Sequence, residues 1–108
     1  LPPHLTGWID KRSKYLQFWN SRYFVLDNGS ITFQKKEGLL ESKNGLTLTR
    51  KVVLEPSGDF QLDIISPAKK DIYLRFMERA TRDAWYEAVQ RHCDYGTDVL
   101  SQDDTYVK

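Results

Sequence analysis

The sequence predicts a mainly β protein in which six or seven short antiparallel strands are followed by one amphipathic helix. Apolar and polar residues alternate along several runs, an Asn-Gly pair separates two of them, and the period becomes helical near the end of the chain. The 108 residues, 40% of them hydrophobic, can form one core. We therefore expect a strongly bent sheet or small barrel whose open end is covered by the helix, since no other element can bury the apolar face of that helix.

Six runs show the alternation of a half-buried strand, in which side chains two residues apart share a face. They are residues 7–11, 19–26, 30–36, 47–54, 60–64 and 71–77. Asp27-Asn28-Gly29 is a hairpin signal, because Asn and Gly tolerate positive φ. Pro56 and Gly58 are expected to end the fourth run, and residues 66–70 interrupt the pattern again. Residues 37–45 carry charges and two glycines and are interpreted as a loop.

The helix is expected to begin after Thr81, a suitable N-cap, with Asp83 in the first turn, where the helix dipole favours an anion. No Gly or Pro interrupts residues 82–94. The residues at helical spacing i, i+3, i+4 and i+7, which form one apolar stripe, are Trp85, Ala88, Val89 and His92. Gly96 is expected to end the helix. The predicted organisation is a lead at 1–6, a domain at 7–95 and an acidic tail or helix extension at 96–108.

Charge is distributed unevenly along the chain. The formal net charge is +1, but residues 1–54 hold nine basic and four acidic residues (9 − 4 = +5), and the remainder holds seven and eleven (7 − 11 = −4). Such a separation suggests a basic face for an anionic partner, although two ordinary solvated surfaces would give the same count. The longest uncharged stretch, residues 15–21, is too short for a membrane span. Because the chain begins at Leu1, we expect it to be a module of a longer protein.

Neither an enzyme nor a metal site is predicted. His4 lies in the lead and His92 on the helix, so neither is recognisably near a nucleophile and an acid. No glycine-rich phosphate loop and no metal-ligand spacing occurs, and we expect no cofactor. Cys93 is the single cysteine, which excludes an internal disulfide and favours the reducing cytoplasm. Nucleic acid is not an expected partner, because the second half is acidic and lacks an obvious stacking platform.

Three markers together resemble the pleckstrin homology (PH) domain family. They are Gly-Trp-Ile-x-Lys at residues 7–11, Trp19-x-x-Arg22-x-Phe24-x-Leu26 before the Asn-Gly turn, and Trp85 in a terminal helix. The resemblance extends over residues 7–95. It implies a seven-stranded bent sheet, or partly open barrel, of two nearly orthogonal antiparallel sheets capped by the C-terminal helix. Trp85 is interpreted as a core residue that fills the barrel, together with Phe24, Leu26, Ile64, Leu74 and Phe76.

Lys11 and Arg22 are the first candidates for a binding site. Lys11 follows Ile9 on the inward register of its strand, and Arg22 precedes Phe24 on the inward register of the next. A charged side chain at an inward-facing strand position is unusual, because burying a charge without a partner costs free energy. Two cations that converge beyond the core would form a phosphate pocket. The alternative is that each side chain snorkels to solvent or pairs with an acid.

The resemblance indicates which residues of this predicted site correspond to ligand positions in the PH family. In family members that bind phosphoinositides, a Lys late in strand one, a Lys-x-Arg pair early in strand two and a Tyr in strand three hold the inositol phosphates. Lys11 and Arg22 match two of these positions, whereas Asn20 and Phe33 stand where the second base and the Tyr would be. Two ligands that polyphosphorylated headgroups usually need are therefore absent. The full predicted headgroup-binding set is Lys11, Arg12, Lys14, Arg22, Lys35, Lys36 and Lys43.

The predicted loop between the first two strands carries apolar residues beside basic ones. We expect Tyr15, Leu16 and Phe18 to insert into a bilayer interface while neighbouring cations meet anionic headgroups. In the alternative, Phe18 and Leu16 turn inward and pack. The predicted function is a non-catalytic, cytoplasmic module that is peripheral at the cytosolic face of a membrane and binds a phosphoinositide or phosphatidic acid. The alternative function is protein–protein interaction, as a scaffold or adaptor with little lipid selectivity.

Overall fold

One antiparallel sheet and one helix form the described part of the chain. The computed structural model describes residues 2–13, 17–37, 44–67 and 70–106, and side chains up to residue 96. The strands are β1 (Leu5–Arg12), β2 (Trp19–Asp27), β3 (Ser30–Gln34), β4 (Gly45–Thr47), β5 (Val53–Ser57), β6 (Gln61–Ile65) and β7 (Ile72–Arg75), and the helix is α1 (Arg79–Tyr106). Within these ranges no helix is long and apolar enough to cross a membrane.

The seven strands form a single sheet in the order β4-β3-β2-β1-β7-β6-β5. β1 pairs with β2 along its whole length and, near its end, with β7 through Asp10 and Lys11. β1 therefore joins the two halves of the bent sheet, β2–β4 on one side and β5–β7 on the other. The predicted seven-stranded sheet with a C-terminal helix is confirmed, and the sheet is not closed, because β4 and β5 are its two edges.

The strand predicted over residues 47–54 is wrong, because two strands lie in this region. β4 ends at Thr47 and β5 begins at Val53. Between them a turn is closed by the amide of Val52, which donates to the carbonyl of Thr49 at 3.0 Å. Pro56 lies inside β5 rather than at its end, which an edge strand tolerates because one of its sides needs no amide donors.

The core consists of the inward-facing strand residues and one face of the helix, as predicted. Phe24, Leu26, Ile64, Leu74, Phe76 and Trp85 are all buried. The rings of Phe76 and Trp85 lie 6.3 Å apart between centroids. Burying aromatic side chains contributes strongly to the stability of a small domain, so Trp85 has a structural role.

The helix is longer at both ends than the sequence predicts. It begins at Arg79, so Thr81 is not its N-cap, and it continues through Gly96 to Tyr106. At Gly96 the helix packs directly against the segment after β4, and a Cβ there would overlap the carbonyl oxygen of Leu48. The glycine is therefore needed for close approach, not for ending the helix. Of the two alternatives for the C-terminal segment, the backbone shows a helix extension.

His92, predicted on the apolar stripe of the helix, is buried and joins three parts of the fold. Its Nδ1 accepts a hydrogen bond of 3.1 Å from the amide of Gly29 in the β2–β3 turn. Its Nε2 lies 2.6 Å from the carbonyl oxygen of Pro3. An amide can only donate and a carbonyl can only accept, so the neutral ring with its proton on Nε2 satisfies both partners. The ring thereby ties the lead and the turn to α1.

Replacing Gly96 with alanine should destabilise the domain although alanine is the better helix former. The added methyl group would force the helix away from the carbonyl of Leu48, as in an overpacked core, at a cost of about 1–3 kcal/mol. Chemical denaturation measures the change in the free energy of unfolding. Gln90→Ala, at an exposed position of the same helix, is the control and should change it by less than about 0.5 kcal/mol. Equal stability of Gly96→Ala and wild type would contradict the close approach.

The buried Cys93 thiol should make stability depend on pH in the alkaline range. Burial, assisted by the Asp94 carboxylate, raises the pKa of Cys93 from 9.0 to about 11. Between these values the unfolded thiol ionises while the folded one does not, so the contribution of Cys93 is complete below pH 9.0 and is lost as pH rises toward about 11. The difference in unfolding free energy between wild type and Cys93→Ala should fall across this window. A constant difference would exclude the effect.

Candidate functional site

Two adjoining cavities lie at the end of the sheet where β1 meets β2. We call them the basic cavity, of about 240 Å³, and the mixed cavity, of about 540 Å³. Both are lined by Lys11, Arg12, Ser13, Phe33 and Asn44. The basic cavity adds Asn20, Arg22 and Lys35, and the mixed cavity adds Gln17, Gly45, Lys70, Asp71, Ile72 and Tyr73.

The basic cavity brings together four cations of the predicted set. Lys11 and Arg22 reach it because their cross-strand partners are Asn20 and Ile9, so the two side chains are diagonal neighbours on the inner face of β1 and β2. Arg12 and Lys35 complete the group, and none of the described residues lining this cavity carries a carboxylate. The predicted convergence of Lys11 and Arg22 is therefore present in the structure.

Lys11 is half-buried and held by neutral groups. Its Nζ donates to the carbonyl of Arg12 at 3.3 Å and lies 4.9 Å from the centroid of the Phe33 ring. Burial lowers the pKa of Lys11, and the nearby Arg22 guanidinium lowers it further. Arg22 in turn donates to the carbonyl of Ser21 at 2.8 Å. Within the described part of the chain, neither cation forms an ion pair with a carboxylate, so an anion in the cavity would meet uncompensated positive charge.

The two departures from the phosphoinositide-binding pattern both lie at the site. Asn20 lines the basic cavity with an uncharged amide. Phe33 lines both cavities and packs on Phe24 with ring centroids 5.3 Å apart. Phe33 has no hydroxyl group, so it contributes an apolar wall and a ring face for Lys11 instead of a hydrogen bond to a ligand.

The mixed cavity contains residues that sequence reasoning did not assign to the site. Lys70, whose position the sequence left open, lines it beside Asp71 and Tyr73. The Tyr73 hydroxyl donates to Asp71 at 3.5 Å, and the Arg12 guanidinium lies 5.8 Å from the Tyr73 ring centroid. Desolvation raises the pKa of Tyr73, and the carboxylates of Asp71 and Asp63 raise it further. The alternation over residues 71–77 placed Asp71 and Tyr73 on one face, but only the fold brings that face to Arg12.

The remaining predicted residues are placed as follows. Lys36 is exposed on the chain after β3 and does not line either cavity. Phe18 is 63% exposed, so the alternative in which it packs inward is wrong. Its carbonyl accepts a 2.6 Å hydrogen bond from Ser13, which closes the base of the β1–β2 loop. The predicted residues that lie outside the described residues are Lys14, Tyr15, Leu16 and Lys43. No group of three His, Cys, Asp or Glu suited to a metal ion occurs in the ranges that the structure describes.

A bent seven-stranded sheet with a C-terminal helix and a basic cavity at one end characterises a PH-type interaction module. The family model for the PH domain matches residues 3–94, and the chain belongs to this family. Domains of this family generally mediate membrane or protein interactions and are typically non-catalytic. Both the resemblance and the fold expected from it are thereby confirmed.

Similar proteins support the same fold. The human oxysterol binding protein-related protein 11 PH domain matches with a TM-score of 0.78 and 21% identity, over 93% of this chain and 88% of that one. The C-terminal PH domain of pleckstrin in complex with D-myo-Ins(1,2,3,4,5)P5 matches with a TM-score of 0.72 and 18% identity, over 83% and 96%. Pleckstrin homology domain-containing family A member 8 of Danio rerio is 25% identical over 79% of this chain, which spans only 16% of that protein.

Removing the Arg22 charge should raise the pKa of Lys11. In Arg22→Ala the repulsion disappears while burial remains, so the pKa should rise toward the ordinary value of 10.5 without reaching it. Titration of the Lys11 side-chain NMR signals against pH measures the change. Arg91→Ala, an exposed substitution on α1, is the matched control and should leave the titration unchanged. An unaltered Lys11 titration in Arg22→Ala would show that the two cations do not interact.

Proposed function

We propose that this PH domain is a non-catalytic membrane-recruitment module that binds an anionic phospholipid headgroup, a phosphoinositide or phosphatidic acid, in the basic cavity. The observation that carries the proposal is the convergence of Lys11, Arg12, Arg22 and Lys35 around a cavity whose described lining contains no carboxylate. The predicted bases Lys14, Lys36 and Lys43 would extend the basic surface. Anionic lipids are abundant in the cytoplasmic leaflet, so the cytosolic face of a membrane is the proposed location.

A phosphate group suits this cavity on electrostatic grounds. Lys11 loses part of its hydration by burial, and among the described residues its Nζ contacts a carbonyl oxygen and an aromatic ring, not a carboxylate. A phosphate oxygen would restore a charge-assisted hydrogen bond to Lys11 and, from the same position, to Arg22. The pleckstrin domain in complex with an inositol pentakisphosphate supports the proposal, because a domain of the same fold holds a phosphorylated ligand.

Phe18 provides the second proposed contact with the bilayer. Its side chain is exposed at the base of the β1–β2 loop, on the segment that also supplies Ser13 to both cavities. Tyr15 and Leu16 belong to the same proposed insertion. An aromatic ring of this kind gains free energy when it enters the interfacial region of a membrane. We propose that the loop enters the interface while the cations bind headgroups.

The free energies of these contacts predict weak to moderate membrane binding by the isolated domain. Four basic side chains at about 1 kcal/mol each give roughly 4 kcal/mol, which corresponds to about millimolar affinity. Burial of about 100 Å² of apolar surface would add roughly 2.5 kcal/mol, which brings the affinity to the order of ten micromolar. Tighter recruitment requires a shaped headgroup contact or a second attachment elsewhere in a longer protein.

Co-sedimentation with phosphatidylcholine vesicles containing phosphatidic acid or a phosphoinositide tests the proposal. Lys11→Ala and Arg22→Ala should each weaken binding at least about tenfold, because each removes one charge-assisted contact of about 1.5–3 kcal/mol. Arg91→Ala removes the same charge from the exposed face of α1 and should bind like wild type. Added salt should weaken binding of the wild type. Equal binding by Arg22→Ala and wild type would exclude the basic cavity as the headgroup site.

Protein interaction is the second candidate function, and one observation favours it. Trp8 is 53% exposed on the outer face of β1 and contacts Tyr23 edge to face, with ring centroids 5.5 Å apart. Exposed aromatic pairs of this kind are common at protein interfaces. If the unmodified domain binds no anionic vesicle of any composition tested, this candidate replaces lipid binding.

A further inference from the structure

The short edge strand β4 uses alternate residues to bind its neighbour. The amide of Phe33 donates to the carbonyl of Asn44 at 3.0 Å, and the amide of Leu48 donates to the carbonyl of Gly29 at 2.8 Å. In an antiparallel pair, residues alternate between those that exchange hydrogen bonds with the partner strand and those whose backbone groups point away. The even-numbered residues of this segment therefore face β3.

Gly45 and Thr47 consequently turn their backbone N–H and C=O groups toward the open edge of the sheet. The spacing of the strands agrees with this register. Gly45 is opposite Thr32, and a Cβ on Gly45 would lie only 3.1 Å from the Thr32 Cα, as expected for the closer, non-hydrogen-bonded type of pair. In the described sheet, no strand lies on this side of β4 to pair with the outward backbone groups of Gly45 and Thr47.

This edge faces a cleft of about 580 Å³. Gly45, Leu46 and Thr47 line one side, and Val52, Ser66, Pro67 and Lys70 line the other. The cleft lies where the sheet fails to close, between its β4 edge and the connection from β6 to β7. Ser30, Thr32 and Thr49 also line the cleft, and the hydroxyl group of each is hydrogen-bonded to the backbone. Such a lining can accept the backbone and side chains of an additional extended segment.

The two edge strands of the sheet differ in the side chains that prevent pairing with another chain. Natural edge strands commonly carry proline or charged side chains, which discourage pairing with another chain. β5 has both, in Pro56 and Glu55. β4 consists of Gly45, Leu46 and Thr47 and has neither. Among the described strands, the edge that faces the cleft is therefore the one without these protective side chains.

The charge of the cleft indicates which segment it would accept. Among the described residues that line the cleft, Lys70 is the only charged one and none carries a carboxylate. Lys70 also lines the mixed cavity together with Lys11 and Arg12. Asp71 is the one carboxylate among the described lining residues there, so positive charge is in excess in that cavity too. An acidic segment would be favoured and a basic one disfavoured.

We propose that the β4 cleft binds an extended acidic peptide segment of a protein partner by strand addition. Gly45 and Thr47 exchange backbone hydrogen bonds with the segment, and a carboxylate of the segment lies near Lys70. Backbone pairing to an exposed edge gives affinity, and the flanking side chains give specificity. The short edge makes binding weak. This interaction is separate from headgroup binding and does not depend on it.

An NMR titration of the isotopically labelled chain tests the proposal. The probe is a capped heptapeptide of alternating valine and glutamate, and its matched control has lysine in place of glutamate. The glutamate peptide should slow hydrogen exchange of the Gly45 and Thr47 amides at least about threefold at saturation, because only bound amides are protected. It should also give cross-strand contacts to both residues. Unchanged exchange at both amides, or perturbations confined to the basic cavity, would overturn the proposal.

Two substitutions at one position separate strand addition from side-chain contact. Thr47→Pro removes the amide that faces the cleft and should weaken peptide binding at least about fivefold, whereas Thr47→Val keeps that amide and should bind within about twofold of wild type. Neither residue change touches the basic cavity, so vesicle binding should persist in both. Equal peptide binding by the two variants would exclude backbone pairing.

Charge reversal gives a test that remains valid if Thr47→Pro fails to fold. Lys70→Glu should weaken the glutamate peptide and strengthen the lysine peptide, each at least about threefold. A folded Lys70→Glu domain with unchanged preference between the two peptides would contradict the proposed position of the acidic side chain.

Discussion

The simultaneous pairing of β1 with β2 and β7 is the constraint on which the rest of this domain depends. Eight consecutive pairs to β2 set the register that places Ile9 in the core, and the pairs at Asp10 and Lys11 connect the second half of the sheet. A shift of one residue would exchange the faces of the strand. Because the register is determined over this length, the Lys11 side chain follows Ile9 inward, to the end of the core where the basic cavity lies.

The basic cavity shows how a small domain can hold positive charge with no carboxylate among the described residues that line it. Lys11 is half-buried, its pKa is lowered by burial and by Arg22, and its contacts are a carbonyl and the Phe33 ring. Keeping such a group charged costs free energy, and an anion bound in the proposed site would offset this cost. In contrast, Arg75 on the outer face is paired with Asp10 and stacks on Trp19, so its charge is already compensated.

The two proposed binding surfaces are physically connected. Lys70 lines both the mixed cavity and the β4 cleft, and Gly45 does the same. A headgroup in the basic cavity and an acidic segment in the cleft would both be negatively charged, and the mixed cavity adjoins both sites. At close approach they would repel each other, so the two ligands would compete electrostatically even without steric overlap. Any coupling between them would be reciprocal, because it is a free energy shared by both sites.

The sequence by itself determined the strand alternation, the Asn-Gly turn, the apolar stripe of the helix and the inward placement of Lys11 and Arg22, because these follow from local periods of two and 3.6 residues. It did not determine that residues 48–52 turn between two strands, that Gly96 lies within α1 against Leu48, or that Lys70 and Tyr73 come to the site. Phe18 could equally have packed inward on local grounds. These features depend on contacts between segments distant in the chain, and only the tertiary structure, through the bend of the sheet and the packing of the helix on it, decided them.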